Sequence, residues 1–244
     1  MKSLSFNLVI LVTVCSSIKL PPTFQKCDKR ASNFDDCLGK VIHDALNQLD
    51  KPFPEYGLPS LQEAEVTPDV VAEFGNSTDG LRQKFSNYRL FGLTKPNLTK
   101  ARMDFKTNTL VLNVSFPEIV FRTDYEAEGA VFVLPVNIAT TFEGLLVKPT
   151  FNLVFKLQEY ENEGRYFKVV DTDFDMNAEN FKLEFKRLAP NKRLNYELNA
   201  AINEKGVEIF ARFKHLQVFF EPYFGGLFDG LLQKVEIKEL FDGV

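Results

Sequence analysis

The spacing of apolar positions changes twice along this chain, from a helical step near the N-terminus to strict alternation through the middle and back to a helical step near the C-terminus. The first helix is predicted where Cys37, Leu38, Val41, Ile42, Ala45 and Leu49 recur at three- and four-residue steps. Asn33 stands where a cap belongs, Asp35 and Asp36 suit the positive helix start, and Pro52 and Pro54 end the run. After the link "KPFPEYGLPSL" the period becomes two. In "RMDFKTNTLVLNVSF", Met103, Phe105, Leu110, Leu112, Val114 and Phe116 alternate with polar residues, Asn113 on the opposite face. "AVFVLPV", "TFNLVFKLQ", "RYFKVVDTDFDM" and "FKLEFKRL" repeat the pattern between breaks such as "EYENEG". The pattern predicts an antiparallel meander of long strands with one apolar face, which needs a cover.

That cover is predicted at the C-terminus. From about Leu194 to Phe220 the positions Leu198, Ile202, Ile209, Phe213, Leu216 and Phe220 keep helical spacing, and Phe224, Leu227, Leu231 and Val235 resume it after Pro222. A helix of about 25 residues is about 38 Å long. Pro222 should bend or break it, and Gly225 and Gly226 loosen it further. The expected class is α+β, with a strongly curved antiparallel sheet rolled around a long C-terminal helix. Its inward strand positions are Phe105, Leu112 and Val114, then Phe132 and Leu134, then Phe151, Leu153 and Phe155, then Phe174, then Phe181, Leu183 and Phe185. Phe213, Leu216 and Phe220 face them from the helix. These are the candidate ligand contacts. Each is equally readable as ordinary core, because periodicity does not separate a filled interior from a hollow one.

The first residues decide the compartment. Lys2 precedes the apolar run "LVILVTVC", too short to span a bilayer, which ends in the small residues Cys15, Ser16 and Ser17. Residues 1–17 read as a secretion signal and 18–244 as one elongated domain; a buried first helix is the alternative. No later run is long enough to cross a membrane as a helix. In an oxidising compartment Cys27 and Cys37 read as a disulfide before a metal site or a reactive pair, pinning an extended arm to the first turn of the first helix. Two unpaired buried thiols are the alternative. Sequons at Asn76, Asn97 and Asn113 agree with an extracellular glycoprotein.

Composition narrows the chemistry. The 25 Phe against 7 Tyr and no Trp put most ring surface out of reach of hydrogen bonding. A net charge of -4 argues against nucleic acid as a partner. His43 and His215 are the only histidines, both on predicted helices among charged neighbours, and there is no Gly-x-Ser-x-Gly elbow and no paired-histidine metal spacing. Neither catalysis nor a cofactor is expected. "DTDFDMNAENFK" imitates a calcium loop at Asp171, Asp173 and Asp175 but has Met176 where the turn needs Gly and Lys182 where it needs Glu. A strand with Thr172, Phe174 and Met176 inward explains it better. The basic cluster "KRLAPNKR" reads as the turn before the long helix, with a lipid-headgroup role as the alternative.

Five stretches in order, "LPPTFQKC", "CDKRASNFDDCL", "PEYGLPSL", "FPEIVFRTDYEAEGAVFVLPV" and "LLQKVEIKELF", resemble the takeout and haemolymph juvenile-hormone-binding protein family of insects, from about Leu20 to Phe241. The resemblance implies a fold of the TULIP type, a curved sheet wrapped around a long helix with an apolar tunnel between. It implies a monomeric non-enzymatic carrier of a small hydrophobic ligand: a juvenile-hormone-like terpenoid, a fatty acid or another long-chain lipid, with an unidentified receptor as a further partner. It also implies that the arm and first helix lie near a mouth of the cavity, so that the Cys27–Cys37 link shapes the gate. No cysteine follows Cys37, so the second disulfide of the hormone binders is absent and the takeout branch is the nearer. Hormone binders use a tyrosine where this chain has "TFNLVFKL", and Phe151, Leu153 and Phe155 offer no hydroxyl, which favours a long apolar ligand. The competing reading is a protein that binds the surface of lipid assemblies.

Overall fold

The computed structural model describes residues 18–67, 69–74, 80–131, 134–213 and 220–244. The signal reading of residues 1–17, and Asn76, Phe132, His215 and Leu216, lie outside them. A short strand β1 (Cys27–Asp28) precedes helix α1 (Phe34–Leu46), and the Cys27–Cys37 disulfide joins them with a Cα–Cα distance of 5.9 Å. The arm is also held by partners far away in sequence. β1 pairs in parallel with β12 (Phe241–Asp242), Ile18 bridges Val235, and the Tyr56 hydroxyl donates to the Lys19 carbonyl at 2.9 Å. The Asn33 side chain makes no capping hydrogen bond: its ψ of 26° is not the extended conformation a cap uses, and its carbonyl alone receives the Cys37 N–H.

The other strands form two antiparallel sheets. One has the order β10 (Arg165–Asn177), β9 (Thr150–Glu161), β6 (Thr109–Ser115), β5 (Asn97–Asp104). The larger runs β11 (Asn180–Phe185), β8 (Leu134–Val147), β7 (Glu118–Val131), β4 (Leu81–Phe91), β2 (Ala64–Val66), with β3 (Val70–Phe74) also on β4. The chain changes sheet between β4 and β5, between β6 and β7, between β8 and β9, and between β10 and β11. These corners meet at one seam. Phe116 N–H donates to the Pro149 carbonyl at 3.0 Å, Lys148 N–H to that of Pro117 at 2.9 Å, and Glu179 N–H to that of Val147 at 3.0 Å. Prolines suit corners because no ladder partner waits for their missing N–H. The seam also takes in Gly92, at φ 98°, where a Cβ would come within 2.5 Å of the Glu118 carbonyl oxygen.

Two sequence expectations need correcting. The run "RMDFKTNTLVLNVSF" is a hairpin of β5 and β6, and its turn takes Phe105 out of the alternation. Asp104 Oδ1 accepts from the Lys106 N–H at 2.8 Å and Asn108 adopts φ 48°, both turn behaviour of Asx residues. The long helix is divided among the described residues into α2 (Lys192–Glu204) and α3 (Gly206–Phe213), with α4 (Glu221–Leu232) and α5 (Ile237–Leu240) following. Lys205 leaves the helical region at φ -109°, ψ 16°, and Gly206 sits so close to β11 that a Cβ would lie 2.1 Å from the Phe181 carbonyl oxygen. Contact with the sheet breaks the helix here.

Helix α2 does not press an apolar stripe on the sheet as its spacing predicts. Leu194 and Leu198 are exposed. Its sheet-facing side instead carries Asn195, Asn199 and Asn203, which pair with the backbone of edge strand β11. Asn199 accepts from the Phe185 N–H at 2.8 Å and donates to the Phe185 carbonyl at 3.0 Å; Asn203 does the same with Leu183 at 2.7 and 2.8 Å. Asn195 accepts from the Leu188 N–H at 2.6 Å. A row of carboxamides thus does what a further strand would do for an open edge. Helix α4 is fastened similarly. β10 bulges between Val169 and Asp171, and the Val169 N–H donates to Asp229 of α4 at 2.7 Å.

The calcium-like stretch lies on β10, where Phe174 and Met176 are buried and Asp171 pairs with Lys156 at 2.7 Å. An extended strand sends alternate carboxylates along one face and cannot wrap an ion. "KRLAPNKR" is the turn from β11 to α2, and Asn191 caps the helix by accepting from Arg193 and Leu194. Among the described residues no helix is long and apolar enough to cross a membrane.

Candidate ligand cavity

The inner face of the larger sheet is not filled. It encloses a cavity of about 330 Å³. β4 supplies Gln83, Phe85, Tyr88 and Leu90, β7 supplies Ile119, Phe121 and Tyr125, and β8 supplies Phe142 and Leu146. β11 adds Phe181, Leu183 and Phe185; Ile202, Ile209 and Phe210 close the wall from α2 and α3. At the end nearer the smaller sheet stand Phe151, Phe174, Phe220 and Phe224. The rings brace one another: Phe121 stacks on Phe181 at 5.8 Å between centroids, Phe142 meets Phe185 at 4.9 Å, and Phe174 meets Phe224 at 4.9 Å. Tilted and edge-on aromatic pairs hold their shape by mutual contact, so a wall made of them can stand around a void.

A second cavity of about 130 Å³ lies at the other end. Leu20, Phe24 and Cys27 of the arm, Leu38, Val41 and Ile42 of α1, and Leu227, Phe228 and Leu231 of α4 line it. The disulfide therefore stands in a cavity wall, and the arm and first helix enclose one end of the hollow interior. Between the two lies a void of about 30 Å³, which shares Phe151 and Phe224 with the larger cavity and Leu46, Leu227 and Phe228 with the smaller. Aromatic partitions separate three spaces in line.

The residues singled out by alternation divide among these spaces. Phe151, Phe174, Phe181, Leu183, Phe185 and Phe220 line the larger cavity, and Leu112, Val114 and Leu153 line the small void. Phe155 is fully buried against Phe228, with centroids 4.5 Å apart, and borders none of the three. Phe105, in the β5–β6 turn, packs on Phe34 and Phe241 with Lys29 4.9 Å above its ring. Leu134 opens β8 and Phe213 closes α3. The lining residues from β4, from β7 and, on β8, Phe142 and Leu146 were not among the positions singled out by alternation. Phe121 and Tyr125 do alternate in sequence, but on β4 a register shift between Ser86 and Arg89 carries Tyr88 to the cavity side against a strict period of two.

Three polar residues interrupt this apolar surface. The Tyr125 hydroxyl donates to Gln83 Oε1 at 2.8 Å across the β4–β7 pair. Tyr88 stacks on Phe121 at 5.5 Å. Burial pushes the Tyr125 phenol up to about 12 and the Tyr88 phenol further still, so both are neutral at physiological pH. Among the described residues the larger cavity is lined by no Lys, Arg, His, Asp or Glu. The absence of a hydroxyl at Phe151, Leu153 and Phe155 is therefore offset by tyrosines from other strands. His43 lies on α1 within hydrogen-bond distance of Asn47 and Asp44. Of the sequons, Asn97 is exposed at the start of β5, whereas Asn113 is half-buried on β6 between β5 and β9.

Two antiparallel sheets and a set of helices around buried apolar cavities define a class of proteins built to hold something inside. The sequence profile of the family described as haemolymph juvenile hormone binding protein (JHBP) matches residues 6–242, and the chain belongs to this family. Its fold is that of Takeout 1 from Epiphyas postvittana, a crystal structure with 16% sequence identity and a TM-score of 0.74 over 89% of this chain and 99% of that one. A crystal structure of lipopolysaccharide binding protein aligns over 80% of this chain and 37% of that one, at 13% identity and a TM-score of 0.40. No curated protein sequence matches. The family is one of binding proteins.

Proposed function

We propose that this protein is a secreted, monomeric, non-enzymatic carrier that shelters one small hydrophobic molecule in the larger cavity. The observation that supports it most is a space of about 330 Å³ walled by phenyl rings from six strands and two helices. Leaving such a space empty forfeits dispersion contacts on every side, and a ligand restores them. Burying about 400 Å² of ligand surface yields roughly 10 kcal/mol. Association costs of at least about 4 kcal/mol leave an affinity on the order of tens of micromolar, tightened by whatever polar contacts the ligand makes. In this reading residues 1–17 are removed on secretion, the Cys27–Cys37 bond forms in the oxidising compartment, and exposed Asn97 is the sequon best placed to carry a glycan.

The test uses the protein secreted from eukaryotic cells with its own leader. Solvent extraction followed by mass spectrometry is expected to recover a copurified lipid, and the intact mass is expected to match a chain beginning near Ile18. An empty extract together with no binding of N-phenyl-1-naphthylamine would overturn the carrier reading. Flotation with anionic vesicles is expected to leave the protein in solution; recovery in the floating fraction would favour surface binding instead.

A further inference from the structure

The larger cavity is almost wholly apolar, yet one spot on its wall is polar and incompletely satisfied. Gln83 is 9% exposed, and its Oε1 accepts the Tyr125 hydroxyl at 2.8 Å. A primary carboxamide also has two N–H donors. Neither Gln83 Nε2 nor the Tyr88 hydroxyl has a hydrogen-bond partner among the described residues. Among the described residues the fully buried side-chain polar atoms without a partner are Asn108 Oδ1 and the Tyr223 hydroxyl, so the Gln83 amide keeps accessible surface, and Gln83 borders the cavity. A donor without a protein partner on an apolar wall is satisfied only by water or by an occupant that accepts from it. The Tyr125 ring is held by Phe85 at 5.2 Å, Phe142 at 5.7 Å and Phe185 at 5.8 Å, so the pair is positioned before a ligand arrives.

We infer that Gln83, oriented by Tyr125, is the head-group site of the larger cavity, and that it selects lipids ending in a neutral hydrogen-bond acceptor (an ester, ketone, aldehyde or alcohol oxygen) over ionised fatty acids. This rests on the carrier reading. The acceptor half follows from the free N–H groups. The neutral half follows from the wall: no cationic side chain borders the cavity among the described residues, so those residues offer a desolvated carboxylate no counter-charge. Tyr125 positions the carboxamide, and its ring keeps the polar spot in place.

Displacement of N-phenyl-1-naphthylamine from the secreted protein tests the assignment with methyl dodecanoate, dodecanoate and pentadecane. Gln83→Leu is expected to weaken methyl dodecanoate about 3- to 15-fold, the range of one net hydrogen bond, and to leave pentadecane unchanged or tighter. Tyr125→Phe is expected to give a smaller loss in the same direction. Dodecanoate is expected to displace the probe progressively less well as pH rises from 5 to 8 and the acid ionises. Tyr88→Phe, at the other polar group of the wall, is expected to weaken the ester less than Gln83→Leu does. The double variant Gln83→Leu/Tyr125→Phe removes both partners of the pair, so it is expected to keep a melting temperature near that of the wild type while still losing the ester, which separates folding from binding. Equal losses for ester and alkane, no loss for either, a larger loss in Tyr88→Phe, or dodecanoate binding at pH 8 as well as the ester would overturn the head-group assignment while the carrier reading stands. Failure of the wild type to bind the probe and all three chains would overturn the carrier reading and the assignment with it.

Discussion

The Tyr223 hydroxyl is buried on α4 without a hydrogen-bond partner, and burial pushes its pKa up to about 12. Its ring packs edge-on to Phe224 at 5.2 Å, so the aromatic body belongs there and the oxygen does not. Tyr223→Phe is expected to stabilise the protein by about 1 kcal/mol, seen in calorimetry as a rise of about 2–4 °C in melting temperature. A fall would mean that the oxygen is satisfied after all. At this scale the sequence marks which side of a strand a residue faces but not how deep it lies. Phe151 and Phe155 share one face of β9; Phe151 borders the larger cavity, while Phe155 is sealed by Phe228. The difference is set by α4, which stands far away in the chain and contributes nothing to the local period.

Among the elements, α2 and β11 depend on each other through side-chain amides. Asn199→Leu leaves the Phe185 N–H without its partner and its carbonyl with only the longer bond from Asn195 at 3.3 Å, which is expected to lower stability by about 1–3 kcal/mol. Hydrogen exchange is the sharper readout: the Phe185 amide is expected to exchange faster while amides in β9 keep their protection. Uniform loss across both sheets would contradict a local role. Asn195, Asn199 and Asn203 recur at a four-residue step, legible in the sequence as one helix face. A polar face on a helix ordinarily faces water, so the sequence pointed to Leu198 as a packed position. The structure reverses this because an unpaired strand edge attracts carboxamides more specifically than it attracts leucines.

At the scale of the molecule the interior is a line of spaces separated by rings, with Phe224 touching the larger cavity, the small void, Phe151, Phe174 and Tyr223. Phe224→Leu is expected to join the first two spaces. The cost is about 1–2 kcal/mol for the lost contacts, and the n-alkanol that best displaces N-phenyl-1-naphthylamine should become longer by a few carbons. An unchanged chain-length optimum would show that the partition does not limit the ligand. A collapse of surrounding side chains into the space would show as shorter, weaker binding.

By itself the sequence was enough for the α+β class, the run of strands between helices, the Cys27–Cys37 bond and the family, because each is carried by local period, turn chemistry or ordered motifs. The two-sheet division, the break at Lys205, the pairing of the N-terminal arm with the C-terminus and the meeting of Gln83 with Tyr125 were decided only in three dimensions. Alternation of apolar residues is satisfied equally by rings that interlock and by rings that stand apart. Whether they leave a void depends on how helices far along the chain are fastened against the strands, and here Asn199, Asn203 and Asp229 hold them to the β11 edge and the β10 bulge.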